Sequence, residues 1–310
     1  MRGASAALAL LLLAGATSPT LAADRTVLLE NFGGTWCIYC PGADGAISRL
    51  LDEQPRLRFI PIRWHIGDIY QIPMGYQRDA WYNVTGYPTS WFDAANSFVG
   101  GSTDPYNQAV YNAYRNLINY RLGFTTPVTI DLNCRDLGNS NFELTATIGL
   151  ESGNPNMSAE VWFAILEDHY PERAPYWYYR YTARDTLPTA NVTLSASEAP
   201  VVVTRNFTAN PTWDQSETII VVWVELANAG IGLVQQAAEI PLLGGGIPGD
   251  LDGDGDVDLS DFTVFQLCFG GSSNPPAPTC PPGTDADLDD DGDVDLADFI
   301  IFQQNFTGSL

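Results

Sequence analysis

The feature that most constrains this chain is an acidic repeat near its carboxyl end. The segments "DLDGDGDVDLSDFTVFQ" and "DLDDDGDVDLADFIIFQ" begin at Asp250 and Asp287 and agree at most of their positions. A repeat this close indicates two copies of one structural unit. Each copy fits a twelve-residue calcium loop, because alternate residues of such a tight loop can all direct oxygen ligands at one hard cation.

The pattern predicts that each loop binds one calcium ion, so that the chain carries two. Positions 1, 3, 5, 9 and 12 offer carboxylates, position 7 offers its carbonyl, and position 6 is glycine. The ligand positions hold Asp250, Asp252, Asp254, Asp256, Asp258 and Asp261 in the first loop and Asp287, Asp289, Asp291, Asp293, Asp295 and Asp298 in the second. Val257 and Val294, at position 8, are expected to anchor the loops to a core. We expect the tail to order only with calcium, because its carboxylates otherwise repel one another.

An acidic solvated tail is the alternative interpretation of this segment. It does not explain why glycine and valine recur at equivalent positions of both copies. Each loop also leads directly into an apolar helical segment, "FTVFQLCF" or "FIIFQQNF". The calcium interpretation is therefore preferred.

The first residues, "MRGASAALALLLLAGATSPTLAAD", have the parts of a secretory signal peptide. Arg2 supplies the positive start, Ala6–Ala16 form the apolar stretch, and small residues precede a cleavage site near Ala22 or Ala23. The apolar stretch is too short to span a bilayer, so residues 1–23 are predicted to be removed and no membrane span is expected. The mature chain is predicted to be secreted, periplasmic or on the cell surface, where disulfides persist.

The charge of the chain argues against nucleic-acid binding. Its 14 basic residues are all arginine, the formal net charge is −23, and no basic residue follows Gly249. A nucleic-acid interface needs a basic patch, which this composition does not supply.

Residues 24–124 alternate strand and helix signals, which predicts a small α/β domain. "RTVLLENF" and "RLRFIPIRWH" are typical of buried strands, "CPGADGAISRLLDEQ" of a helix between them, and "GYPTSWFD" with "SFVGG" of a hairpin. A last helix is predicted in "TDPYNQAVYNAYRNLINYRLG", capped by Asp104, with Pro105 in its first turn and Gly123 at its end. The strand–helix–strand order implies a parallel strand pair with a crossover helix.

Residues 125–243 lack helical periodicity and contain six or more strand-like segments separated by Gly, Asn, Pro and Asp. Many of these segments alternate apolar and polar residues, as strands with one buried face do. We predict an antiparallel β-sandwich. The segment "GGGIPG", residues 244–249, indicates a flexible linker to a small α-helical calcium-binding domain at 250–308.

A cysteine pair lies between the first strand and the first helix, in "GGTWCIYCPG". The helix dipole and unpaired backbone N–H groups stabilise a thiolate at the amino end of a helix. We therefore predict that Cys37 attacks a substrate disulfide and that Cys40 resolves the mixed disulfide. A permanently oxidised structural clip is the alternative. A zinc site would need two more soft ligands, and the two histidines, His65 and His169, are interpreted as loop or strand-end residues.

The other three cysteines make the total odd, so at least one is free or pairs with another molecule. Cys268 and Cys280 flank a proline-rich loop between the two acidic repeats, and we predict a local disulfide between them. Cys134 ends a predicted strand and is interpreted as a buried free thiol.

The region of the first cysteine pair resembles the thioredoxin superfamily over residues 24–123. The resemblance rests on "LLENFGGTWCIYCPG" and on "GYPTSWFD", in which Tyr87–Pro88 matches the cis-proline turn that faces the cysteine pair in these folds. It implies that Pro88 acts with Cys37 and Cys40 by holding an extended substrate segment. Trp36 and Tyr87 are the residues expected to contact that substrate.

A longer resemblance covers residues 25–243. The segments "VLLENFGGTWCIYCP", "WHIGD", "GYPTSWFD", "FAILEDH" and "LVQQAAEI" resemble the twenty-eight-kilodalton outer-membrane protein family, which joins a thioredoxin-like domain to an Ig-like sandwich. Residues 249–308 resemble a type I dockerin, which implies calcium binding and a cohesin-like partner. At loop positions 10 and 11, where dockerins commonly have small hydroxyl residues, this chain has Leu259–Ser260 and Leu296–Ala297.

Together these features predict an exported, calcium-binding, thioredoxin-like protein that exchanges disulfides with other exported proteins. Two non-enzymatic interpretations stay open. One is a cell-surface or extracellular scaffold with a structural Cys37–Cys40 disulfide, and the other is a subunit that its tail recruits to a polysaccharide-degrading assembly. The chain has no carboxylate pair or nucleophile motif outside the calcium loops that would indicate a hydrolase.

Overall fold

The computed structural model describes residues 24–53, 57–173, 177–227, 231–243, 249–251, 257–281, 284, 286–289 and 292–308. In chain order its elements are β1 Val27–Gly33, α1 Cys40–Leu51, β2 Phe59–His65, α2 Pro73–Trp81, β3 Thr89–Phe92, β4 Asn96–Val99, α3 Gln108–Leu122, β5 Val128–Gly138, β6 Asn141–Leu150, β7 Met157–Glu167, β8 Glu172–Arg173, β9 Trp177–Tyr178, β10 Thr182–Leu194, β11 Val201–Thr208, a 3₁₀ turn Gln215–Glu217, β12 Thr218–Leu226, β13 Val234–Pro241, α4 Leu259–Cys268 and α5 Leu296–Gln304. None of these helices is long and apolar enough to cross a membrane.

Several predictions fall on residues outside these ranges. The predicted signal peptide does so entirely, and the predicted linker does so up to residue 248. The same holds for four of the predicted calcium ligands, Asp252, Asp254, Asp256 and Asp291.

The elements from β1 to α3 form an α/β arrangement, and the predicted parallel pair is confirmed. β1 and β2 pair in parallel from Val27 opposite Phe59 to Gly33 opposite His65, with α1 as the crossover helix. β3 pairs antiparallel with β1, and β4 with β3. Helices α1 and α3 cover one face of the sheet, while α2 and part of the β-rich region cover the other. Both central strands are therefore buried along their whole length, which is why their sequences are mainly apolar.

Helix α2, between β2 and the hairpin, has no counterpart among the predicted elements. The predicted start of the last helix of this region is wrong. Helix α3 begins at Gln108, because Asn107 is its cap and accepts hydrogen bonds from Ala109 N and Val110 N at 3.1 Å. The predicted cap, Asp104, instead accepts from Tyr106 N at 3.0 Å, in the turn before the helix. A capping side chain acts on the first free N–H groups of the helix, which only Asn107 reaches here.

The β-rich region forms two antiparallel layers around one apolar core, as the strand patterns predict. One layer has the order β13-β12-β7-β10 and the other has the order β11-β6-β5. Inward side chains of both layers, such as Leu144 of β6 and Phe163 of β7, are fully buried in the shared core. The segment "ANVTLSASEAPVVVTRNFTA" forms the end of β10 and all of β11, with the turn 195–200 between them. Assignment of this sandwich to the Ig-like class stays a prediction.

The α/β region and the sandwich share one eight-stranded sheet, with the order β13-β12-β7-β10-β2-β1-β3-β4. The junction is short. β10 pairs in parallel with β2 at Thr182 opposite Arg63, and Arg63 N donates to Tyr181 O at 2.9 Å. The local strand patterns contain no signal for this pairing, because it joins segments more than a hundred residues apart.

A buried ion network also joins the two regions. Arg78 of α2 donates from Nη2 to Glu30 of β1 and to Glu225 of β12, both at 2.7 Å. Burial lowers the pKa of Arg78, but the neighbouring Glu30, Tyr82 and Glu225 outweigh it and hold the pKa well above its usual range. Because loss of one partner would leave an uncompensated buried charge, the network holds the sandwich in place beside the α/β sheet.

The two acidic repeats pack against each other as equivalent halves. Val294 O accepts from the backbone N–H groups of residues 270 and 271 at 3.0 Å, and Val257 O accepts from those of residues 307 and 308 at 3.0 and 3.1 Å. Both valines are fully buried, so their predicted anchoring role is confirmed. The small core around them consists of Val257, Phe265, Cys268, Ala286, Val294 and Phe302.

Candidate functional site

The first cysteine pair lies where β1 passes into α1. Cys37 and Cys40 form a disulfide, with their Cα atoms 5.4 Å apart. Cys40 is the first residue of α1 and is fully buried, whereas Cys37 lies in the preceding turn with 4% of its surface exposed. Cys37 N donates to Gly34 O at 3.0 Å, which closes that turn. Cys37 is therefore the more accessible residue of the pair.

Pro88 lies against the amino end of α1. It follows Tyr87 through a cis peptide bond, and its carbonyl accepts from Gly100 N at 2.8 Å. A β-carbon at Gly101 would lie 2.1 Å from Tyr39 O and 2.8 Å from Pro88 Cγ, so only glycine permits this approach. The structure thus brings the predicted Pro88 close to the turn that contains the cysteine pair.

Exposed apolar side chains surround the disulfide. Trp36, Ile38 and Tyr39 are each more than half exposed. The rings of Trp36 and Tyr87 meet edge to face, with centroids 5.4 Å apart. Trp36 Nε1 donates to Ile66 O at 2.8 Å, which fixes the orientation of the indole. Large, oriented aromatic surfaces of this kind suit recognition of an apolar peptide segment.

A histidine–aspartate pair supports the turn before Cys37. Asp68 accepts from Thr35 N at 2.8 Å and is hydrogen-bonded to His65 Nδ1 at 2.8 Å. Burial raises the pKa of Asp68, but hydrogen bonds from His65, Thr35 and Tyr70 outweigh it and bring the pKa to about 2. Burial lowers the pKa of His65. His65 is thus a supporting residue at the end of β2, in agreement with its interpretation as a strand-end residue.

Three polar residues beneath Cys40 are not indicated by the sequence motifs. Asn31 of β1 and Arg63 of β2 are buried, and the side chain of Asp44 of α1 is 9% exposed. Arg63 Nη1 donates to Asn31 Oδ1, and Arg63 Nη2 lies 3.4 Å from Asp44 Oδ1. Two of them, Asn31 and Arg63, could have been noticed in the sequence as polar residues inside buried strands. Such residues are rarely buried without a partner.

The second acidic loop gathers the carboxylates that the calcium prediction needs. Two groups of three have ligand oxygens within 4.8 Å of one another: Asp287, Asp289 and Asp298, and Asp293, Asp295 and Asp298. Gly292 has φ +92°, and its N–H donates to Asp287 Oδ2 at 2.8 Å, so the sharp turn expected at position 6 is present. Clustered carboxylate oxygens in a tight turn are a donor set that fits calcium.

The residue at position 12 is fully buried in both loops. Asp298 Oδ1 accepts from Leu288 N at 2.6 Å, and its Oδ2 accepts from Asp295 N at 2.7 Å. Asp261 makes the equivalent two hydrogen bonds in the first loop, at 2.6 and 2.8 Å. Both loops therefore close in the same way, with the position-9 aspartate, Asp258 or Asp295, as the cap of the following helix.

The remaining cysteines have structural surroundings. Cys268, the last residue of α4, forms a disulfide with Cys280. Cys134 is free but only half-buried, and it lies within β5 rather than at its end, because that strand continues to Gly138. Burial raises the pKa of Cys134 to about 11, so its thiol is a poor nucleophile at neutral pH.

Asp168, His169 and Glu217 form another cluster of metal-ligand type within the described ranges. Both carboxylate oxygens of Asp168 accept from Arg180 Nε, at 2.8 and 2.9 Å. A guanidinium in this position already neutralises the carboxylate and repels a cation. We interpret this cluster as a structural contact of the loop after β7.

Comparison with known proteins supports the fold. No protein-family model matches the sequence, and no curated protein matches it. Among solved structures, the chain is similar to HBP35 of Porphyromonas gingivalis, with a TM-score of 0.56 and 17% identity over 71% of this chain and 76% of that chain. A domain of the outer membrane lipoprotein Omp28 from Porphyromonas gingivalis aligns with a TM-score of 0.27 and 11% identity, over 38% of this chain and 88% of that chain.

The likeness to HBP35 shows a shared fold, and the second alignment is too loose to add to it. The likeness to HBP35 and the Cys37–Cys40 disulfide together support a thioredoxin-like chain built around a large mixed sheet. Membership in the outer-membrane protein family and the dockerin resemblance stay predictions.

Proposed function

We propose that this chain is an exported thioredoxin-like protein that exchanges disulfides with other exported proteins. The observation that carries the proposal is the Cys37–Cys40 disulfide at the amino end of α1, close to Pro88 and surrounded by exposed aromatic side chains. A disulfide that only stabilised the fold would not need this exposed surface. Export rests on the signal-peptide pattern of residues 1–23.

In the reducing direction, the Cys37 thiolate attacks one sulfur of a substrate disulfide, forms a mixed disulfide and releases the other substrate sulfur as a thiolate. The Cys40 thiolate then attacks Cys37 Sγ, which forms the Cys37–Cys40 disulfide and releases the second substrate thiolate. Two electrons pass from the cysteine pair to the substrate, and the released thiolates take protons from water. The greater exposure of Cys37 and its place before the helix assign it the first step.

Pro88, Trp36 and Tyr87 are the residues proposed to bind the substrate segment. The turn at Pro88 lies close to the turn that contains the cysteine pair, and the rings of Trp36 and Tyr87 offer an apolar surface there. An extended peptide with a cysteine and apolar neighbours is the substrate that this arrangement suits.

The redox equilibrium of the pair tests the proposal. In a Cys134→Ser background with calcium present, alkylation and mass spectrometry would measure the Cys37–Cys40 disulfide in glutathione and thioredoxin redox buffers. We expect a reversible midpoint between about −270 and −120 mV, the range of this superfamily. A pair that stays oxidised below about −300 mV would be a structural disulfide, and the scaffold interpretation would replace the enzymatic one.

A catalytic assay provides a second test. Cys37→Ser should abolish reduction of a test disulfide such as that of insulin and leave the circular dichroism spectrum unchanged. Cys134→Ser is the matched control, because it removes a thiol that is half-buried in the sandwich. Retained activity in Cys37→Ser would contradict the assigned nucleophile.

We also propose that residues 250–308 bind two calcium ions. In the second loop, Asp287, Asp289, Asp293, Asp295 and Asp298 would hold the ion with Asp291, and the first loop would use the equivalent residues from Asp250 to Asp261. The grouped carboxylates and the turn at Gly292 support this proposal. When bound, the ion neutralises the clustered charges and couples metal binding to folding of the tail.

Calorimetric titration tests the calcium proposal. We expect two ions per chain, and loss of one of them in Asp287→Ala. Asp131→Ala removes an exposed carboxylate of β5 and should leave both ions bound. Absence of binding at about 1 mM calcium, the weak end for such loops, would contradict the proposal.

The tail is further proposed to attach the protein to a cohesin-like or cell-surface partner, as in a polysaccharide-degrading assembly. Leu259 and Leu296, at position 10 of the two loops, are 71% and 66% exposed, which favours a role in contact with another protein. Capture of the partner should depend on calcium and should be lost when Asp250 and Asp287 are both replaced by alanine. Capture that persists in a chelator would contradict this role.

A further inference from the structure

A buried guanidinium lies beneath the cysteine pair. Arg63, in β2, has only 1% of its surface exposed. A charged side chain is removed from water at a large cost unless opposite charge and hydrogen bonds compensate it. The groups around Arg63 therefore indicate the role of this buried charge.

The described surroundings of Arg63 compensate its charge only in part. Its Nη1 donates to Asn31 Oδ1, a neutral acceptor. Its Nη2 lies 3.4 Å from Asp44 Oδ1, beyond the usual hydrogen-bond distance, and neither Nε nor Nη2 donates a hydrogen bond within the described part of the chain. Buried donors without acceptors are rare in proteins. The site thus has spare capacity to stabilise an anion.

The sulfur of Cys40 is placed to supply that anion. A β-carbon at Gly33 would lie 2.6 Å from Cys40 Sγ, 2.7 Å from Arg63 Nη1 and 3.0 Å from Arg63 Nη2. The sulfur and the guanidinium therefore border the same small space, which is open because residue 33 has no side chain. In the disulfide this sulfur is neutral, and it can become an anion only when the pair is reduced.

An aromatic side chain of the β-rich region covers the guanidinium. Tyr179, in the loop between β9 and β10, is 2% exposed, and its ring lies 5.2 Å from Arg63 Cζ. The same ring meets His65 edge to face, with centroids 4.7 Å apart. Because the aromatic ring shields the guanidinium from water, its charge acts on the sulfur through a medium of low dielectric constant.

We propose that Arg63 is a positioning residue that stabilises Cys40 as a thiolate in the reduced protein, and thereby makes the Cys37–Cys40 disulfide more oxidising. This inference rests on the proposed disulfide exchange and names the group that sets its potential. Reduction by a dithiol or by two thiols transfers two electrons to the disulfide and converts both sulfurs to thiolate or thiol. Beside Arg63 the negative charge on Cys40 is stabilised, and the buried sulfur needs no proton. This thiolate is also the nucleophile that attacks Cys37 Sγ in the resolving step.

Other titratable groups face the same space and enter any pH dependence of this step. They come from each element packed around Arg63 and are Asp44 of α1, His65 of β2, Tyr114 of α3 and Tyr179 of the sandwich. Burial raises the pKa of Tyr114 and lowers that of His65, so both stay neutral around pH 7. Arg63 and Asp44 are therefore the charged members of this set, and Asp68, hydrogen-bonded to His65, is a further charge behind it.

Two substitutions of opposite sign test the inference in the full chain, with Cys134→Ser and calcium present. Arg63→Met removes the charge and should shift the equilibrium constant with glutathione about tenfold toward the disulfide, a midpoint about 30 mV more negative. Arg63→Lys keeps the charge and should retain most of the original value. Asp44→Asn removes the counter-charge and should shift the equilibrium toward the thiols. Arg135→Met, at an exposed arginine of β5, is the matched control and should change nothing.

A direct measurement of the Cys40 thiolate complements the measured midpoints of the variants. In a Cys37→Ala background, absorbance at 240 nm should show a Cys40 thiolate at pH 7, and Arg63→Met should abolish most of it. Circular dichroism identifies any variant that fails to fold, in which case Asp44→Asn and Arg63→Lys still carry the test.

The outcomes separate this inference from the proposed function. Equal midpoints and equal thiolate fractions in Arg63→Met and Arg63→Lys would overturn the role of Arg63 while leaving disulfide exchange intact. A pair that stays oxidised in all of the glutathione and thioredoxin redox buffers would overturn disulfide exchange. The difference between the Arg63 variants could then still be measured with excess dithiothreitol.

Discussion

The two disulfides of this chain lie in surroundings of different kinds. Cys37–Cys40 has exposed aromatic side chains around it and a buried guanidinium beneath it. Cys268–Cys280 joins the end of α4 to the loop between the acidic repeats, and Cys268 packs in the core with Phe265 and Phe302. Cys40 and Cys268 are equally inaccessible, so burial does not distinguish them. The difference lies in the buried guanidinium near Cys40, because charge near the sulfur affects how readily a disulfide reacts with a partner.

The largest effect is expected when the tail loses Asp298. This buried carboxylate accepts hydrogen bonds from Leu288 N and Asp295 N and is a proposed calcium ligand, so Asp298→Ala should cost at least about 3 kcal/mol and unfold the tail. Cys268–Cys280 should then become reducible by mild thiols, while the midpoint of Cys37–Cys40 should not move. Alkylation and mass spectrometry would measure both. Asp131→Ala is the control, and an unchanged tail disulfide in Asp298→Ala would contradict the role of this aspartate in closing the loop.

Removal of each disulfide should show how much it contributes to the stability of its own region. Replacing Cys268 and Cys280 by serine opens a loop with a sequence separation of 12 and should lower the unfolding free energy of the tail by about 3 kcal/mol. Replacing Cys37 and Cys40 opens a separation of 3 and should cost about 2 kcal/mol. Hydrogen exchange in urea would report the loss at α4 and at α1, respectively. A larger loss at α1 would indicate that the first disulfide is mainly structural.

The aromatic surface predicts a smaller effect that is confined to the first disulfide. Trp36→Ala should lower kcat/KM for a disulfide in an apolar peptide by about two- to tenfold, because one aromatic contact contributes about 0.5–1.5 kcal/mol. The midpoint of the pair should stay the same. Tyr120→Ala removes a similarly exposed ring from α3 and is the control. An equal loss with both variants would argue against a binding role specific to Trp36.

The smallest effect concerns pH. Burial lowers the pKa of His65 in the folded chain below its unfolded value of about 6.5, so its contribution to stability is complete above pH 6.5 and is lost as the pH falls toward the folded pKa. The unfolding free energy of the α/β region should therefore decrease below pH 6.5 by at most about 1.4 kcal/mol per pH unit. Urea unfolding of the chain and of His65→Gln at pH 5 and pH 7 would measure this. A slope that persists in His65→Gln would assign it to another group.

Local signals in the sequence predicted the strands well and the helix ends less well. The apolar runs of β1 and β2 and the alternation in β6 are visible because each strand buries side chains in a fixed pattern. Asp104 and Asn107 are both good capping residues, and only the packing of the turn before α3 selects Asn107. Helix α2 is short and contains Gly75, which weakens its helical pattern. A β-carbon at Gly75 would lie 3.3 Å from the Trp64 ring, so the glycine allows close packing of helix and sheet.

The candidate site likewise contains some residues that the sequence predicts and others that only the structure brings together. The spacing of Cys37 and Cys40 and the turn at Pro88 are local features and could be read directly from the sequence. Asn31, Arg63 and Asp44 could not be grouped in advance, because they lie on three different elements. The cover by Tyr179 comes from a loop more than a hundred residues beyond Arg63 and depends on the pairing of β10 with β2.

Features that depend on spacing within a few residues could be recognised from local patterns: the cysteine pair before a helix, the alternating strands and the acidic loops with glycine at position 6. The eight-stranded sheet, the Glu30–Arg78–Glu225 network and the position of Arg63 beneath Cys40 became visible only in the folded chain. A buried charge is stable only where the fold gathers its partners. Those partners come from segments whose order along the chain does not show that they will meet.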